Sequence, residues 1–596
     1  VEQRTAADFL VERLRLWKVD RIFGYSGDGI NPLLGALRRS GSPEFIQARH
    51  EEAAAFMAVG HAKYTGGVGV VTATQGPGAV HLLNGLYDAK LDSVPVVALI
   101  GQQSRTVLGS GYQQEIDLLG LTKDVATAFQ QQIADPEQLP MVLDRAFKAA
   151  LAMRAPAVVI LPHDIQQAPA PVTPQKHGVV PSSPVWSQGC LLPREQELHD
   201  AAALLNSGSK VALLVGQGAS KAQQEVLAIA ESLGAGITTS LLGKPFVDED
   251  LGHATGTMGH LGTSASAYLM SHCDTLLIIG SNDPWTEYYP APGQARAVQI
   301  DIDPQAIGNR YPVEIALSGD AAETLAALTQ LLHSKQDRAW RADVEAQVRR
   351  WRALTLERAM TPATPLNPER VLHELNDHLP GNARVAVDVG SSVYWYARHF
   401  RLPRGVPAHL SSTLGCMGCS VPYGIAAKLA RPDRPVVVIS GDGAMQMAGM
   451  AELITVSRRW RDWEDPRFIV CVLNNGDLAE VSWEQREMEC EPRFPASQAL
   501  PDVDYAGYAR LLGLGGRRIE DPQQVAAAWA DAFSSDRPFL LEFVTDPDVP
   551  LLPPFPAGAS KVEGMDSALR QEPGGAVQAR ELLRTYAGQE RHRSDA

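Results

Sequence analysis

Val436-Val437-Val438-Ile439-Ser440-Gly441-Asp442-Gly443-Ala444-Met445 is the stretch that decides the fold. Its short β-branched run reads as a strand buried on both faces, and a Gly-Asp-Gly turn then leads into a helix. That geometry suits a metal-bridged diphosphate: glycines allow close backbone approach, helix N–H groups face the phosphate, and Asp442 offers a hard oxygen ligand. A second apolar run, 468–473, ends in Asn474-Asn475-Gly476-Asp477. An Asn side-chain oxygen and the backbone carbonyl of Asp477 would complete the protein ligands of a Mg²⁺ ion, with diphosphate and water supplying the rest. Gly-Asp-Gly alone is usually only a turn; its pairing with Asn-Asn at a second strand end gives it chemical meaning.

The same alternation of strand and helix extends outward in both directions. Strand-like runs lie at 68–74, 94–101, 157–161, 211–216, 276–280, 298–301, 385–389, 435–440 and 539–544, with helical patterns between most of them. Apolar strands interleaved with helices read as parallel sheets covered on both faces. Two breaks divide the series. One is Pro-rich, from Pro162 to Pro193; the other is Met360-Thr361-Pro362-Ala363-Thr364-Pro365, which follows a charged helical stretch at 337–358. The expected fold class is therefore α/β, with three doubly wound parallel-sheet domains at 1–180, 190–345 and 365–555. The tail, 556–596, is expected to hold one short helix at 576–586 and to end in ten disordered residues.

Bulk properties exclude several classes. The 596 residues carry a formal charge of −15 and no long Lys/Arg run, which argues against a nucleic-acid surface. The six cysteines are scattered, as in a reduced protein, and Cys416-Met417-Gly418-Cys419 lacks the second ligand pair or the thioredoxin-like context that a metal or redox motif needs. Val1-Glu2-Gln3-Arg4-Thr5 shows no basic-then-apolar leader, and no apolar run reaches the roughly 20 residues of a membrane span. These points favour a cytoplasmic enzyme.

Four further segments belong with the Gly-Asp-Gly turn: Arg49-His50-Glu51-Glu52-Ala53-Ala54-Ala55-Phe56-Met57, Gln75-Gly76-Pro77-Gly78, Asp388-Val389-Gly390-Ser391-Ser392 and Leu414-Gly415-Cys416-Met417-Gly418. Read alone, Glu51 is an acid at an ordinary helix N-terminus and Met417 is core filler. Together the segments resemble the thiamine diphosphate family of pyruvate oxidases, acetolactate synthases and 2-oxo acid decarboxylases. The resemblance implies Asp442, Asn475 and the Asp477 carbonyl as metal ligands, and Ser391, Gly441, Gly443 and Ala444 beside the diphosphate. It implies Gly76, Pro77 and Gly78 packed on the pyrimidine and Gly27 and Asn84 as further cofactor-binding residues, with the Gly415 carbonyl and Met417 N–H binding the pyrimidine and the Met417 side chain wedging the cofactor into a V. Glu51 would hydrogen-bond the aminopyrimidine and so promote proton removal from the thiazolium carbon. The family places Glu51 and the diphosphate site on different subunits, so a homodimer or homotetramer is implied. One departure stands out. Asp442 and Asn475 are 33 positions apart, longer than the family habit, and the extra residues near 458–467 read as a surface insertion.

Within the family the chain looks most like the flavin-dependent pyruvate oxidases, including the quinone-linked pyruvate dehydrogenase. Gly27-Asp28-Gly29-Ile30-Asn31, His81-Leu82-Leu83-Asn84-Gly85-Leu86, Gly109-Ser110-Gly111-Tyr112 and Gly256-Thr257-Met258-Gly259 carry that likeness. It implies FAD on Gly216, Gly218, Gly243, Lys244, Thr257 and Asp301, although the third glycine of a dinucleotide fingerprint is missing after Gly216-Gln217-Gly218. Gln114 and Glu484 are the implied substrate-side groups; the bland alternative for Glu484 is a solvated helix charge. Gln113 and Glu480 stand where the oxidases carry aromatics, which makes the pocket more polar. The adjacent histidines of simple pyruvate decarboxylases are absent. The expected reaction is oxidative decarboxylation of a small 2-oxo acid, with FAD taking the electrons. The rivals are a non-oxidative decarboxylase or carboligase of the acetolactate synthase kind, and a regulatory protein that binds the cofactor without turnover. A nicotinamide dehydrogenase is disfavoured because no full GxGxxG follows a strand. Membrane contact is expected to be at most peripheral.

Overall fold

The computed structural model describes residues 4–594; Val1, Glu2 and Gln3 and the last two residues of the sequence lie outside the described residues. Valine- and isoleucine-rich runs become strands because both faces can be covered by helices, and each run joins one of three six-stranded sheets. The first contains β1 (Arg21–Gly24), β2 (Glu44–Gln47), β3 (Gly69–Ala73), β4 (Val96–Gln102), β5 (Phe129–Gln132) and β6 (Pro156–Pro162), in the order β2-β1-β3-β4-β6-β5. The second contains β7 (Val211–Val215), β8 (Gly236–Thr239), β9 (Ala254–Thr257), β10 (Thr275–Ile279), β11 (Arg296–Asp301) and β12 (Ile315–Ser318), ordered β12-β11-β10-β7-β8-β9. The third contains β13 (Arg384–Val387), β14 (Ala408–His409), β15 (Val436–Gly441), β16 (Phe468–Asn474), β17 (Gly515–Ile519) and β18 (Phe539–Val544), ordered β14-β13-β15-β16-β18-β17. Neighbouring strands pair in parallel throughout the three sheets.

Each order reverses once: between β1 and β3, between β7 and β10, and between β13 and β15. Connections leave in opposite directions at such points and open a crevice at the carboxyl ends of the strands, where α/β proteins bind ligands. The loops singled out in the sequence start at these crevices. Gly27 and Gln75 follow β1 and β3, Gly216 and Gly280 follow β7 and β10, and Asp388 and Asp442 follow or close β13 and β15.

Helix Glu51–Thr65 packs along helix Ser420–Ala430 and joins the first and third domains into one core. Gly60 makes the approach possible: a Cβ there would come within 3.1 Å of Ala426 Cβ and 3.2 Å of Tyr423 Cα. Phe56 and Tyr423 meet edge-on at 6.3 Å. A buried ion pair, Lys63–Asp92 at 2.7 Å, lies in the same seam.

Three expectations change here. First, eight strands had no counterpart among the apolar runs. Six of them (β2, β5, β9, β12, β14 and β17) are sheet edges, where a strand is paired on one side only and need not be apolar on both faces; Gln130-Gln131-Gln132 and Arg517-Arg518 are examples. Second, the segment 458–467 is more than a surface insertion. Arg458 donates to Gln47 Oε1 at 2.9 Å, Arg459 pairs with Glu44, and Trp463 packs on Phe468 at 5.6 Å, so the segment braces the first domain against the third. Third, the tail is ordered. Helices Val562–Arg570 and Val577–Ser594 replace the single short helix, and the described part of the last ten residues is helical. Met565, Leu569, Ala579, Leu583, Tyr586 and Ala587 bury into the core of the third domain. Buried Arg358 reaches Glu590 at 3.2 Å, and Asn367 donates to Tyr586 Oη at 3.0 Å. Helical spacing separates the apolar residues with charged ones, so the segment looks polar on average while presenting one apolar face. Among the described residues no helix is long and apolar enough to cross a membrane.

If the tail is part of the core, Leu583→Ala should lower unfolding free energy by about 2–5 kcal/mol, measured from the denaturant midpoint. An unchanged midpoint would show the helix to be peripheral.

Candidate active site

At the crevice between β13 and β15, Asp442 is buried and holds two loops together. Its Oδ1 accepts the Gly443 N–H at 3.0 Å and its Oδ2 accepts the Gly476 N–H at 2.7 Å. Burial pushes its carboxyl up to about 7, a cost that a bound cation would offset by favouring the ionised form. The Asn475 side-chain oxygen accepts the Asp477 N–H at 3.0 Å, fixing the turn that begins at the end of β16. Asp477 Oδ1 accepts from Arg493 at 2.7 and 3.0 Å, while among the described residues its backbone carbonyl accepts no backbone N–H and is the ligand the resemblance implies. Gly476 has φ +66, the left-handed conformation that glycine tolerates and that turns this loop back toward Asp442. Asp442, Asn475 and Asp477 are thus brought together as expected.

Open space borders the same strand ends. A Cβ on Gly441 or Gly415 would meet nothing within 4 Å, and one on Gly390 would meet only Glu480 Oε2, at 3.9 Å. Ser391 opens the helix that follows Gly390, while Gly443 packs on Leu478 and Ala444 is buried, so these two shape the turn from behind. Asp388, quoted above only as part of a loop, is the organising residue. Its buried carboxylate accepts N–H groups from Val389 (2.9 Å), Gly418 (2.8 Å) and Ser420 (3.1 Å), and the Ser420 hydroxyl at 2.5 Å. It therefore ties the 414–418 loop to the end of β13. Among the described residues neither the Gly415 carbonyl nor the Met417 N–H is taken up by the backbone, so both are free for a ring edge.

The first-domain group assembles around Glu51. His50 caps the helix, its Nδ1 accepting the Glu52 N–H at 3.1 Å. Glu51 is buried; its Oε2 lies 3.0 Å from His81 Nδ1, and its Oε1 is 3.3 Å from where a Gly78 Cβ would stand. Gly76, φ +61, leads into Pro77 and packs against Gln114, whose Oε1 accepts from Gln75 Nε2 at 3.2 Å. Gly27 is required for a different reason: a Cβ there would collide with Thr74 at 2.4 Å, so it sets the spacing of the β1 and β3 loops. Asn84 also braces the domains: its amide donates to Glu52 Oε1 (2.8 Å) and Cys416 Sγ (3.0 Å). Among the described residues no hydrogen bond joins the Glu51 group to the Asp442 group within one chain.

Helix Ala479–Met488 carries a row of acids that spacing alone did not reveal. Glu480, Glu484 and Glu487 share one face at intervals of four and three residues. Burial, reinforced by Glu484, pushes Glu480 up to about 8; burial also raises Glu484 and takes Glu487 to about 7. Glu484 is thus a desolvated group, not a solvated helix charge. Glu487 Oε2 lies 3.4 Å from Nε2 of His260, which stacks on Trp285.

The central domain departs most from expectation. Gly216 and Gly218 are needed because their backbone packs directly on Gly280 and Ser281, with Gly218 donating to the Gly280 carbonyl at 3.0 Å. That contact explains both glycines without a pyrophosphate. Gly243 abuts the Val215 carbonyl in the same way. Lys244 is buried and bonded to both Glu249 oxygens at 2.6 Å, so it is not free to meet a ligand phosphate. Thr257 fits a polar ligand better: its hydroxyl, like those of Thr239 and Ser281, is buried without a partner. Asp301 ends β11 and accepts the Asp303 N–H at 2.9 Å, and burial raises its pKa. All six cysteines are free.

Asp388→Asn should loosen the 414–418 loop. An amide cannot accept on both sides, so one N–H is left unmet at a cost of about 1–3 kcal/mol. Calorimetric titration with thiamine diphosphate and Mg²⁺ should show affinity falling at least tenfold; unchanged affinity would remove Asp388 from the site.

The donor set supports that choice of ligand. Asp442, Asn475 and the Asp477 carbonyl are the hard oxygens that Mg²⁺ prefers, beside glycines that leave room for a diphosphate. Comparison with known proteins agrees. Residues 4–121 match the N-terminal TPP binding domain of thiamine pyrophosphate enzymes, 198–328 the central domain and 388–543 the C-terminal TPP binding domain. A Bacillus subtilis protein named "Putative thiamine pyrophosphate-containing protein YdaP" is 35% identical over 92% of this chain and 93% of its own. The acetolactate synthase isozyme 2 large subunit of Escherichia coli is 34% identical over 94% of this chain and 99% of its own. The acetolactate synthase large subunit of Corynebacterium glutamicum is 31% identical over 94% and 90%. With three domain models matched in order and relatives aligned almost end to end, the chain belongs to the thiamine pyrophosphate enzyme family.

Proposed function

We propose that the protein uses thiamine diphosphate, held through Mg²⁺, to decarboxylate a small 2-oxo acid and to join the remaining acyl fragment to a second carbonyl compound. The observation that carries this reading is Asp442, a buried carboxylate bridging two strand-end loops beside glycines that face open space. Carboligation is preferred over the oxidase expectation because two of the relatives just described are named acetolactate synthases and because the flavin residues fit poorly. Lys244 is closed off, and Gly216 and Gly218 are explained by packing.

Bound at this crevice, thiamine diphosphate would supply an electron sink for the carbon that loses CO₂. The protein's own groups do the rest. Asp442, Asn475 and the Asp477 carbonyl would hold the ion. The Gly415 carbonyl and Met417 N–H would orient the pyrimidine edge. The Glu51 carboxylate would exchange a proton with a ring nitrogen. Gln114 and the Glu480–Glu484 pair would serve the substrate side. Glu480, pushed up to about 8 by burial, holds a proton near neutrality, and burial raises Glu484 as well, which suits proton donation on the substrate side and recognition of an acceptor more polar than pyruvate. As the resemblance implies, Glu51 of one copy would meet the Asp442 site of another, which makes the working unit at least a dimer.

A second reading, oxidation through a flavin, is favoured only by the orphaned hydroxyls of Thr239, Thr257 and Ser281 at the central crevice. Product analysis separates the two. Carboligation predicts a hydroxy-ketone or hydroxy-keto acid in a panel of 2-oxo acids, with no dye reduction. A yellow protein that bleaches with substrate would replace the proposal by the oxidase reading. Glu51→Gln should abolish turnover while sparing cofactor binding; full activity in that variant would remove the mechanism.

The sign of the pH dependence follows from the raised carboxyl. Glu480 is protonated below about 8 and ionised above it, so a step that uses its proton slows as pH rises through that value. Glu480→Gln should flatten the alkaline limb of kcat, and an unaltered limb would exclude Glu480 as the donor.

A further inference from the structure

We propose that His50, Glu51 and His81 form a second metal site, suited to a borderline transition ion such as Zn²⁺, whose occupancy switches the enzyme off by taking the Glu51 carboxylate. Three side chains from two elements converge here. His50 is the N-cap of helix Glu51–Thr65, and Glu51 is its first residue. His81 ends the short helix Pro77–His81. The two imidazole centroids are 4.3 Å apart, and His81 Nδ1 is 3.0 Å from Glu51 Oε2. One ligand atom from each of the three lies within 4.8 Å of the other two. Among the described residues no other three His, Cys, Asp or Glu side chains gather this way.

The geometry is close to what an ion needs. Bonds of about 2.0–2.1 Å at tetrahedral angles place neighbouring ligand atoms about 3.3 Å apart. The Glu51–His81 pair already meets that spacing, and His50 has to close in from within 4.8 Å. Its Nδ1 receives the Glu52 N–H at 3.1 Å, so for Nε2 to bind an ion the ring proton must move to Nδ1 and that cap bond be given up. In the single chain both histidines are solvent-exposed while Glu51 is buried, and a water would be the fourth ligand of an ion held there. Two imidazoles with one carboxylate favour Zn²⁺, Co²⁺ or Cu²⁺. The all-oxygen set of Asp442, Asn475 and the Asp477 carbonyl favours Mg²⁺. Donor chemistry thus keeps the two sites apart, and the cofactor's ion would not fill the histidine site. The inhibitory half of this proposal rests on the role proposed above for Glu51; the binding half does not.

The test uses the full chain freed of cofactor and titrated with Co²⁺ in excess Mg²⁺, followed by displacement with Zn²⁺. We expect visible ligand-field bands that saturate at one Co²⁺ per chain and are lost on adding Zn²⁺. Affinity should fall at least tenfold in His81→Gln and in His50→Asn, the latter keeping an acceptor for the helix cap while losing the ring. It should be unchanged in Asp442→Ala. Equal affinity in both histidine variants, or loss of binding in Asp442→Ala alone, overturns the site. Inhibition is read without substrate, as hydrogen–deuterium exchange at the reactive carbon of bound thiamine diphosphate followed by NMR. Saturating Zn²⁺ should slow exchange at least tenfold in the wild type; exchange that persists overturns the switch. If Glu51→Gln exchanges as fast as zinc-free wild type, the assigned role of Glu51 fails while the Co²⁺ result stands on its own.

Discussion

Everything at the candidate site depends on the seam where helix Glu51–Thr65 lies against helix Ser420–Ala430. Small residues at 53–55, 58, 60 and 62 let the helix sit deep between neighbours, and Gly60 touches the opposing backbone. At the far end of the seam Lys63 is bonded to Asp92 and to the Leu410 carbonyl, both at 2.7 Å. Asp92 in turn accepts N–H groups from Ser412 (3.2 Å) and Thr413 (3.0 Å), and the Ser411 hydroxyl accepts from Cys416. A buried pair of this kind adds little net stability, yet losing one partner strands a charge in the interior. Its use here is positional: the chain of contacts runs from the helix that carries Glu51 to the loop that carries Gly415 and Met417.

Burial also sets the chemistry of the acids. Asp442 and Asp388 both sit at strand ends and both have raised pKa values through desolvation, but they are satisfied differently. Asp388 is saturated by three N–H groups and a hydroxyl from the protein and is a clamp. Asp442 receives two N–H groups on the protein side and lies beside a glycine that faces open space. It is the carboxylate left with capacity for a ligand. The row Glu480–Glu484–Glu487 repeats the theme on a helix: burial raises all three, and Glu484 adds to the cost of ionising Glu480 and Glu487.

Much of this was legible in the chain. The apolar runs that became β3, β4, β6, β7, β10, β11, β13, β15, β16 and β18 are mostly interior strands, and interior parallel strands announce themselves because both faces are covered. Asp442, Asn475 and Glu51 were readable because each stands in a short motif at a strand end or helix start. Edge strands, the tail helices and the brace at 458–467 were not, because a half-covered element mixes polar and apolar residues and its average conceals its inner face. The glycines of the central domain are ambiguous for a related reason. A glycine that a ligand needs and a glycine that a neighbouring backbone needs look the same in a sequence, and only the structure showed that the backbone at Gly216 and Gly218 packs on Gly280 and Ser281.

The sequence by itself determined the alternation of strand and helix, the number of sheets, and the oxygen-rich cluster at the ends of β15 and β16, since these follow from local pattern and residue chemistry. Only the tertiary structure decided that Asp388 clamps the Met417 loop, that Asn84 is a strut, that Lys244 is locked to Glu249, and that His50 and His81 flank Glu51. Each of those facts depends on which distant side chain arrives beside a given atom. Contact and desolvation depend on distance in three dimensions, and separation along the chain carries almost no information about either.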